Sequence, residues 1–101
     1  MQKFKNISID EFEKICNYKN SIIVDIRDKE SFLENHIPNA EHLSSDNRMT
    51  LIEKKDKNSH LLIYCYKGYS SQKVAHFLSD YGFKNVYSLI GGFNSWKNKV
   101  I

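Results

Sequence analysis

The chain has a single proline, Pro38, and only two cysteines, Cys16 and Cys65, which form no Cys-x-x-Cys pair. Two unpaired cysteines in unlike settings argue against a disulfide framework and point to a reducing compartment. No apolar stretch approaches membrane-spanning length, and Met1-Gln2-Lys3-Phe4-Lys5-Asn6 lacks the apolar core of a secretory leader. The cytoplasm is therefore the expected setting, with no membrane partner. A net charge of +3 is mild, and the lysines are scattered among acids, so the dense basic footprint of a nucleic-acid binder is missing. Even the most charged run, Glu53-Lys54-Lys55-Asp56-Lys57-Asn58, reads as an exposed helix end and loop. There is no Pro-, Gly- or Ser-rich linker, no internal repeat and no low-complexity tract. Residues 1–101 are accordingly expected to form one domain around a single hydrophobic core.

What is present is an alternation of short apolar runs with helix-period segments, the pattern of an α/β fold built on a mainly parallel sheet of about five strands with helices on both faces. Strands are expected near Phe4–Ile7, Ser21–Asp25, Ala40–Leu43, Leu61–Cys65 and Val86–Leu89. Ser8-Ile9-Asp10-Glu11 reads as a capping box that opens the first helix, Lys29–Asn35 as a short second helix and Met49–Lys55 as a third. The helix after Cys65 carries Val74, Phe77, Leu78 and Tyr81 at i, i+3, i+4 and i+7, with Gly82 as its stop. A last short helix holds Trp96.

Chemistry concentrates at Cys65. It ends the apolar run His60-Leu61-Leu62-Ile63-Tyr64 and opens the loop Tyr66-Lys67-Gly68-Tyr69-Ser70-Ser71, which leads into that helix. Free cysteine ordinarily packs as a small hydrophobe. A thiol at a helix N-terminus is a different case, because the unpaired amides and helix dipole lower its pKa from about 8.5 to between about 3.5 and 7.5. Gly68 permits backbone angles that turn successive N–H groups inward, and Lys67 adds a positive charge. The expected site is a nucleophilic Cys65 in an amide cradle running from Tyr66 to Ser70, at the carboxyl end of a strand where such sheets bind ligands. Cys16, in contrast, falls with Ile9, Phe12 and Ile15 on a helical stripe and reads as a core residue, with no redox role assigned.

Four segments, in order, resemble the single-domain rhodaneses, which are sulfurtransferases. Val24-Asp25-Ile26-Arg27-Asp28 is similar to the family's D-[VI]-R-[ED] strand end, and His36-Ile37-Pro38-Asn39-Ala40 to its H-I-P-G-A turn. Ile63 to Ser71 resembles the active-site loop, and Gly91-Gly92-Phe93-Asn94-Ser95-Trp96 the terminal G-G-x-x-x-W. Within the family, the likeness is closest to the small bacterial thiosulfate sulfurtransferases. The resemblance implies a ping-pong transfer in which the Cys65 thiolate takes the outer sulfur of thiosulfate, releases sulfite, and passes the sulfur from a persulfide to cyanide or a thiol, with no cofactor. It implies substrate binding by Tyr66, Lys67, Gly68, Tyr69 and Ser70, and support of the site by Asp25, Arg27 and Ser71, the first two mainly by tying loops together. Asn39 and Asn35 stand where the family usually has glycine; asparagine tolerates positive φ, so both turns are expected to survive. Tyr69 replaces a usually smaller residue and is expected to narrow the pocket mouth.

The remaining candidates have blander readings. His36 reads as a turn-fixing side chain, and Trp96 with Phe93 as a core anchor. His42, His60 and His76 show no metal-ligand spacing with either cysteine. A cysteine phosphatase would need the arginine of a Cys-x5-Arg loop, and that position is Ser71. A second alternative is a sulfur-relay module that delivers its persulfide to a particular partner, such as a thioredoxin-like or other thiol protein, docked on an apolar patch to which Tyr66 and Tyr69 would contribute.

Overall fold

The computed structural model describes residues 3–100, so Met1, Gln2 and Ile101, and the leader and 1–101 boundary readings that involve them, lie outside it. At its centre is β4 (His60–Tyr64), flanked by β2 (Ser21–Asp25) and β5 (Asn85–Leu89). Leu61, Leu62, Ile63 and Tyr64 are completely buried. A parallel strand covered on both faces has no solvent side, which is why this run is apolar without alternation. Each such side chain contributes about 1.5–3 kcal/mol. β1 (Lys5–Ile7) pairs with β5 at one edge and β3 (Glu41–His42) with β2 at the other, giving the order β1-β5-β4-β2-β3 with every pairing parallel. β3 is shorter than the expected Ala40–Leu43. Only Glu41 and His42 stay in register with β2, and beyond Leu43 the chain turns away through a bond from the Ser44 N–H to Asn47 Oδ1 (2.8 Å).

Among the described residues five helices cover the sheet: α1 (Ile9–Cys16), α2 (Lys29–Glu34), α3 (Arg48–Lys54), α4 (Ser70–Asp80) and α5 (Gly92–Val100). α1 opens with the expected box, in which Glu11 N–H donates to Ser8 Oγ (3.2 Å) and Ser8 N–H to Glu11 Oε1 (3.4 Å). The sheet divides the interior into two clusters rather than the one expected. Val24, Leu61, Ile63 and Val86 pack with Leu51 and Ile52 of α3 and Ala75 and Leu78 of α4. On the other face Ile23, Leu62, Tyr64 and Leu89 pack with Phe12 of α1 and Phe93 of α5. No described helix is long and apolar enough to cross a membrane.

Three side-chain expectations are corrected. α4 buries Ser71, Ala75, Leu78 and Ser79, so of the expected stripe only Leu78 is fully inside, while Val74 and Phe77 are half-buried and Tyr81 is exposed. Small residues bring the helix close to the sheet, which rotates the larger apolar ones to the flank. Cys16 is half-buried rather than core, its thiol donating to Glu13 O (3.1 Å). Asn39 does adopt a left-handed conformation (φ 71°), but Asn35 is extended at φ −165° and needs no such tolerance.

The connections from β2 and β4 diverge, one leading through α2 to β3 and the other through α4 to β5. Neighbouring strands whose connections part in this way leave a crevice at their carboxyl ends. Cys65 follows β4 there, beside the Ile26–Asp28 segment that follows β2.

Candidate active site

The backbone around Cys65 is sorted by polarity. Its carbonyls face one helix terminus: Phe93 N–H donates to Cys65 O (2.7 Å) and Asn94 N–H to Tyr66 O (3.2 Å), which uses first-turn amides of α5 that have no intrahelical partner. Its amides face the sulfur: Gly68 N–H lies 3.2 Å and Ser71 N–H 3.3 Å from Cys65 Sγ. Both close approaches require glycine. A Cβ on Gly68 (φ 95°) would lie 2.8 Å from Gly91 N, and one on Gly92 (φ 56°) would lie 2.5 Å from Cys65 O. Gly68 in the loop and Gly92 at the start of α5 thus let that helix reach the loop and hold its carbonyls away from the thiol.

Burial pushes the Cys65 thiol up, but the Ser71 hydroxyl and the N–H groups of Ser71, Gly68 and Lys67 outweigh it, so its pKa lies below the ordinary value. Ser71 Oγ is 3.3 Å from the sulfur. The structure therefore brings Ser71, read from the sequence as support, into direct contact, while Tyr66, Tyr69 and Ser70 give no hydrogen bond to the sulfur among the described residues. Those three, with Cys65 and Lys67, line a shallow pocket of about 190 Å3. The Lys67 side chain is exposed and makes no ion pair among the described residues; the part of Lys67 that acts on the thiol is its backbone N–H, because its charge sits in solvent at the mouth.

Beneath the loop lies a buried ion pair. Arg27 Nη2 is 2.8 Å from Asp25 Oδ2, and the same carboxylate accepts from Arg27 N–H (2.8 Å) and the Tyr64 hydroxyl (2.6 Å). Burial, then donation to Asp25, pushes the Tyr64 hydroxyl well above its ordinary range. Tyr64 OH in turn accepts from Ile37 N–H (3.1 Å), and Arg27 donates to Asn35 O (2.5 Å). The guanidinium stacks 4.0 Å from the ring centre of Phe93, the residue whose N–H holds Cys65 O. Asp25 and Arg27 thus reach the thiol through the seat of α5 and do not line its pocket.

The sequence reading missed three residues. Asp28 caps α2 and accepts from the Tyr66 hydroxyl, which also meets Ser31 Oγ at 2.8 Å; these bonds, that to Tyr66 first, hold the Asp28 carboxyl down at about 2. They strap Tyr66 to α2 and leave Tyr69, three-quarters exposed, as the open aromatic at the mouth. Gly92 was visible only as part of a motif. Ser88 on β5 is completely buried, 2.7 Å from Ser71 Oγ. A polar residue two places after the buried Val86, where strand alternation calls for an apolar one, was the available signal.

The other marked side chains are engaged away from the sulfur. His36 Nδ1 bonds to Phe32 O (2.7 Å), His42 Nε2 to Arg27 O (2.6 Å) and His60 Nδ1 to the Tyr87 hydroxyl (3.1 Å), while His76 pairs with Asp80. Among the described residues no three His, Cys, Asp or Glu side chains converge as a metal site would need. Burial, then the Glu13 charge, pushes the Cys16 thiol up, the opposite of Cys65.

Comparison with known proteins bears on the family and the fold. A family model described as "Rhodanese-like domain" matches residues 8–99. The chain is 48% identical over 94 residues to the thiosulfate sulfurtransferase GlpE of Coxiella burnetii, covering 93% of this chain and 88% of that protein. It is 41% identical to the thiosulfate sulfurtransferase GlpE of Shewanella oneidensis, covering 95% of each chain. Among solved structures, a rhodanese-like domain protein from Staphylococcus aureus superposes with a TM-score of 0.79 at 31% identity, covering 92% of this chain and 91% of that one.

Proposed function

The chain belongs to the family of rhodanese-like domains, and on that footing we propose that it is a thiosulfate sulfurtransferase whose sulfur carrier is Cys65. The observation that carries this reading is the convergence of two backbone N–H groups and one hydroxyl on a single thiol at a pocket floor. The thiolate attacks the outer sulfur of thiosulfate; the new S–S bond forms as the old one breaks, and sulfite leaves with the bonding pair. The same donors then stabilise the persulfide anion. An acceptor, cyanide or a thiol, takes the outer sulfur and returns the thiolate, so no electrons are gained or lost overall and no cofactor enters. Lys67 at the mouth attracts the thiosulfate dianion, and the N–H groups of Tyr69 and Ser70, which line the pocket and have no partner among the described residues, bind its oxygens. Asp25 and Arg27 support the loop. Position 71 holds a hydroxyl rather than arginine, which disfavours phosphatase chemistry.

The open mouth and exposed Tyr69 favour a second reading of the same chemistry, in which the acceptor is a protein thiol, as in a thioredoxin-like partner, delivered in the cytoplasm. A thiosulfate-to-cyanide transfer assay tests the main reading. Cys65→Ser should abolish turnover with the fold intact, and Lys67→Ala should raise KM for thiosulfate about tenfold or less, the scale of one partly screened charge pair. Turnover retained by Cys65→Ser would sink the proposal.

A further inference from the structure

Ser71 Oγ is held between two atoms, Cys65 Sγ at 3.3 Å and Ser88 Oγ at 2.7 Å. Ser71 and Ser88 are both completely buried, and Ser88 Oγ makes no other hydrogen bond among the described residues. Among the described residues neither hydroxyl bonds to a backbone carbonyl, the usual partner of a buried serine and the one Ser79 uses on the same helix (2.8 Å to Ala75 O). Ser88 therefore sits in an apolar layer, beside Ile63 in register, with the Ser71 hydroxyl as its single partner. A buried hydroxyl with one partner in such a layer is a cost unless that bond is always made.

We infer that Ser88 is a positioning residue for the ionisation of Cys65, acting through the Ser71 hydroxyl as a two-hydroxyl relay aimed at the sulfur. The inference rests on the reading of Cys65 as the sulfur-carrying thiol. The hydrogens decide its direction. A protonated sulfur donating to Ser71 Oγ turns the Ser71 hydroxyl onto Ser88 Oγ and leaves the Ser88 hydrogen without an acceptor. When the thiol proton leaves to solvent through the pocket mouth, both hydroxyls rotate: Ser88 donates to Ser71, Ser71 donates to the thiolate, and each buried hydrogen is used. No other bond forms or breaks. A hydroxyl that accepts from a second hydroxyl is a stronger donor to an anion, so Ser88 adds to what Ser71 alone supplies. The titratable neighbours are unchanged by substitution at Ser88: Tyr66, Lys67 and Tyr69 on the loop, Asp25 at the end of β2 and Arg27 after it, Tyr64 on β4 and Lys73 on α4, with no charged residue in the first turn of α5.

The test is the pH dependence of iodoacetamide alkylation in a Cys16→Ser background, where Cys65 is the single thiol. Ser88→Ala is expected to raise the midpoint by about half a pKa unit, a threefold smaller thiolate fraction below it. Ser88→Thr should restore the midpoint and Ser88→Val, of nearly the same volume, should not. In a Ser71→Ala background, Ser88→Ala should produce no further shift. If Ser88 instead holds the Ser71 hydroxyl away from the sulfur, Ser88→Ala will lower the midpoint or leave it unmoved, and the relay is wrong. An equal upward shift with and without Ser71 would assign the effect to packing and also overturn it. Alkylation needs no sulfur donor, so a protein that gains sulfur from thiosulfate yet shows no Ser88 effect contradicts the relay alone. One with the shift but no sulfur gain contradicts the transfer reading alone.

Discussion

At Cys65 burial and hydrogen bonding pull in opposite directions, and hydrogen bonding prevails. At Cys16 burial is the largest influence and the nearby Glu13 charge reinforces it. One chain thus carries two thiols displaced to opposite sides of the ordinary value, and the more buried of them is the more acidic. Alkylation of Cys65 should level off at a pH below the ordinary thiol value, while Cys16 is still gaining reactivity there; peptide-resolved rates across pH check this, and coincident profiles would contradict it. The sign for stability follows from the same shift. A thiol whose folded pKa is depressed stabilises the fold fully above its unfolded value and loses that contribution as pH falls through the folded one. The position of this thiol was legible because a strand-loop-helix junction with a glycine has few other uses. The inward turn of Ser71 and the presence of Ser88 were not, because a serine's partners depend on which helix face meets the sheet.

Among the elements, α4 and α5 act as a pair on one loop, α4 presenting an amide to the sulfur and α5 taking the carbonyls. Gly92→Ala would drive a methyl group into Cys65 O and Tyr66 O. It is expected to destabilise the fold by about 1–3 kcal/mol and, by moving the loop, to lower the rate of sulfur transfer up to about a hundredfold. Denaturant unfolding with a transfer assay measures both, and an unchanged rate would mean that α5 does not seat the loop. Element starts and stops were legible where a side chain closes them, as at Ser8 with Glu11 and at Gly82 (φ 97°). The buried face of α4 was not. Periodicity weights large apolar residues such as Val74, Phe77 and Tyr81, whereas close approach to a sheet selects Ser71, Ala75 and Ser79.

Across the whole molecule, the order β1-β5-β4-β2-β3 sets the ends of β4 and β2 side by side, and the Asp25–Arg27 pair locks that junction. Arg27→Ala leaves a buried carboxylate without its cation, with an expected loss of about 3–5 kcal/mol. Equilibrium unfolding tests it, and a loss within about 1 kcal/mol would make the pair an accessory. The α/β alternation and the parallel sheet were legible from the spacing of apolar runs, but the division of the interior into two clusters is a property of how those strands associate. The central claim is that one thiol, ionised by converging backbone dipoles, stores a sulfur atom. Intact-protein mass spectrometry after thiosulfate treatment tests it most directly. The account predicts a gain of one sulfur, removed by cyanide and located at Cys65 by peptide mapping; no gain, or a gain that persists in Cys65→Ser, would contradict it.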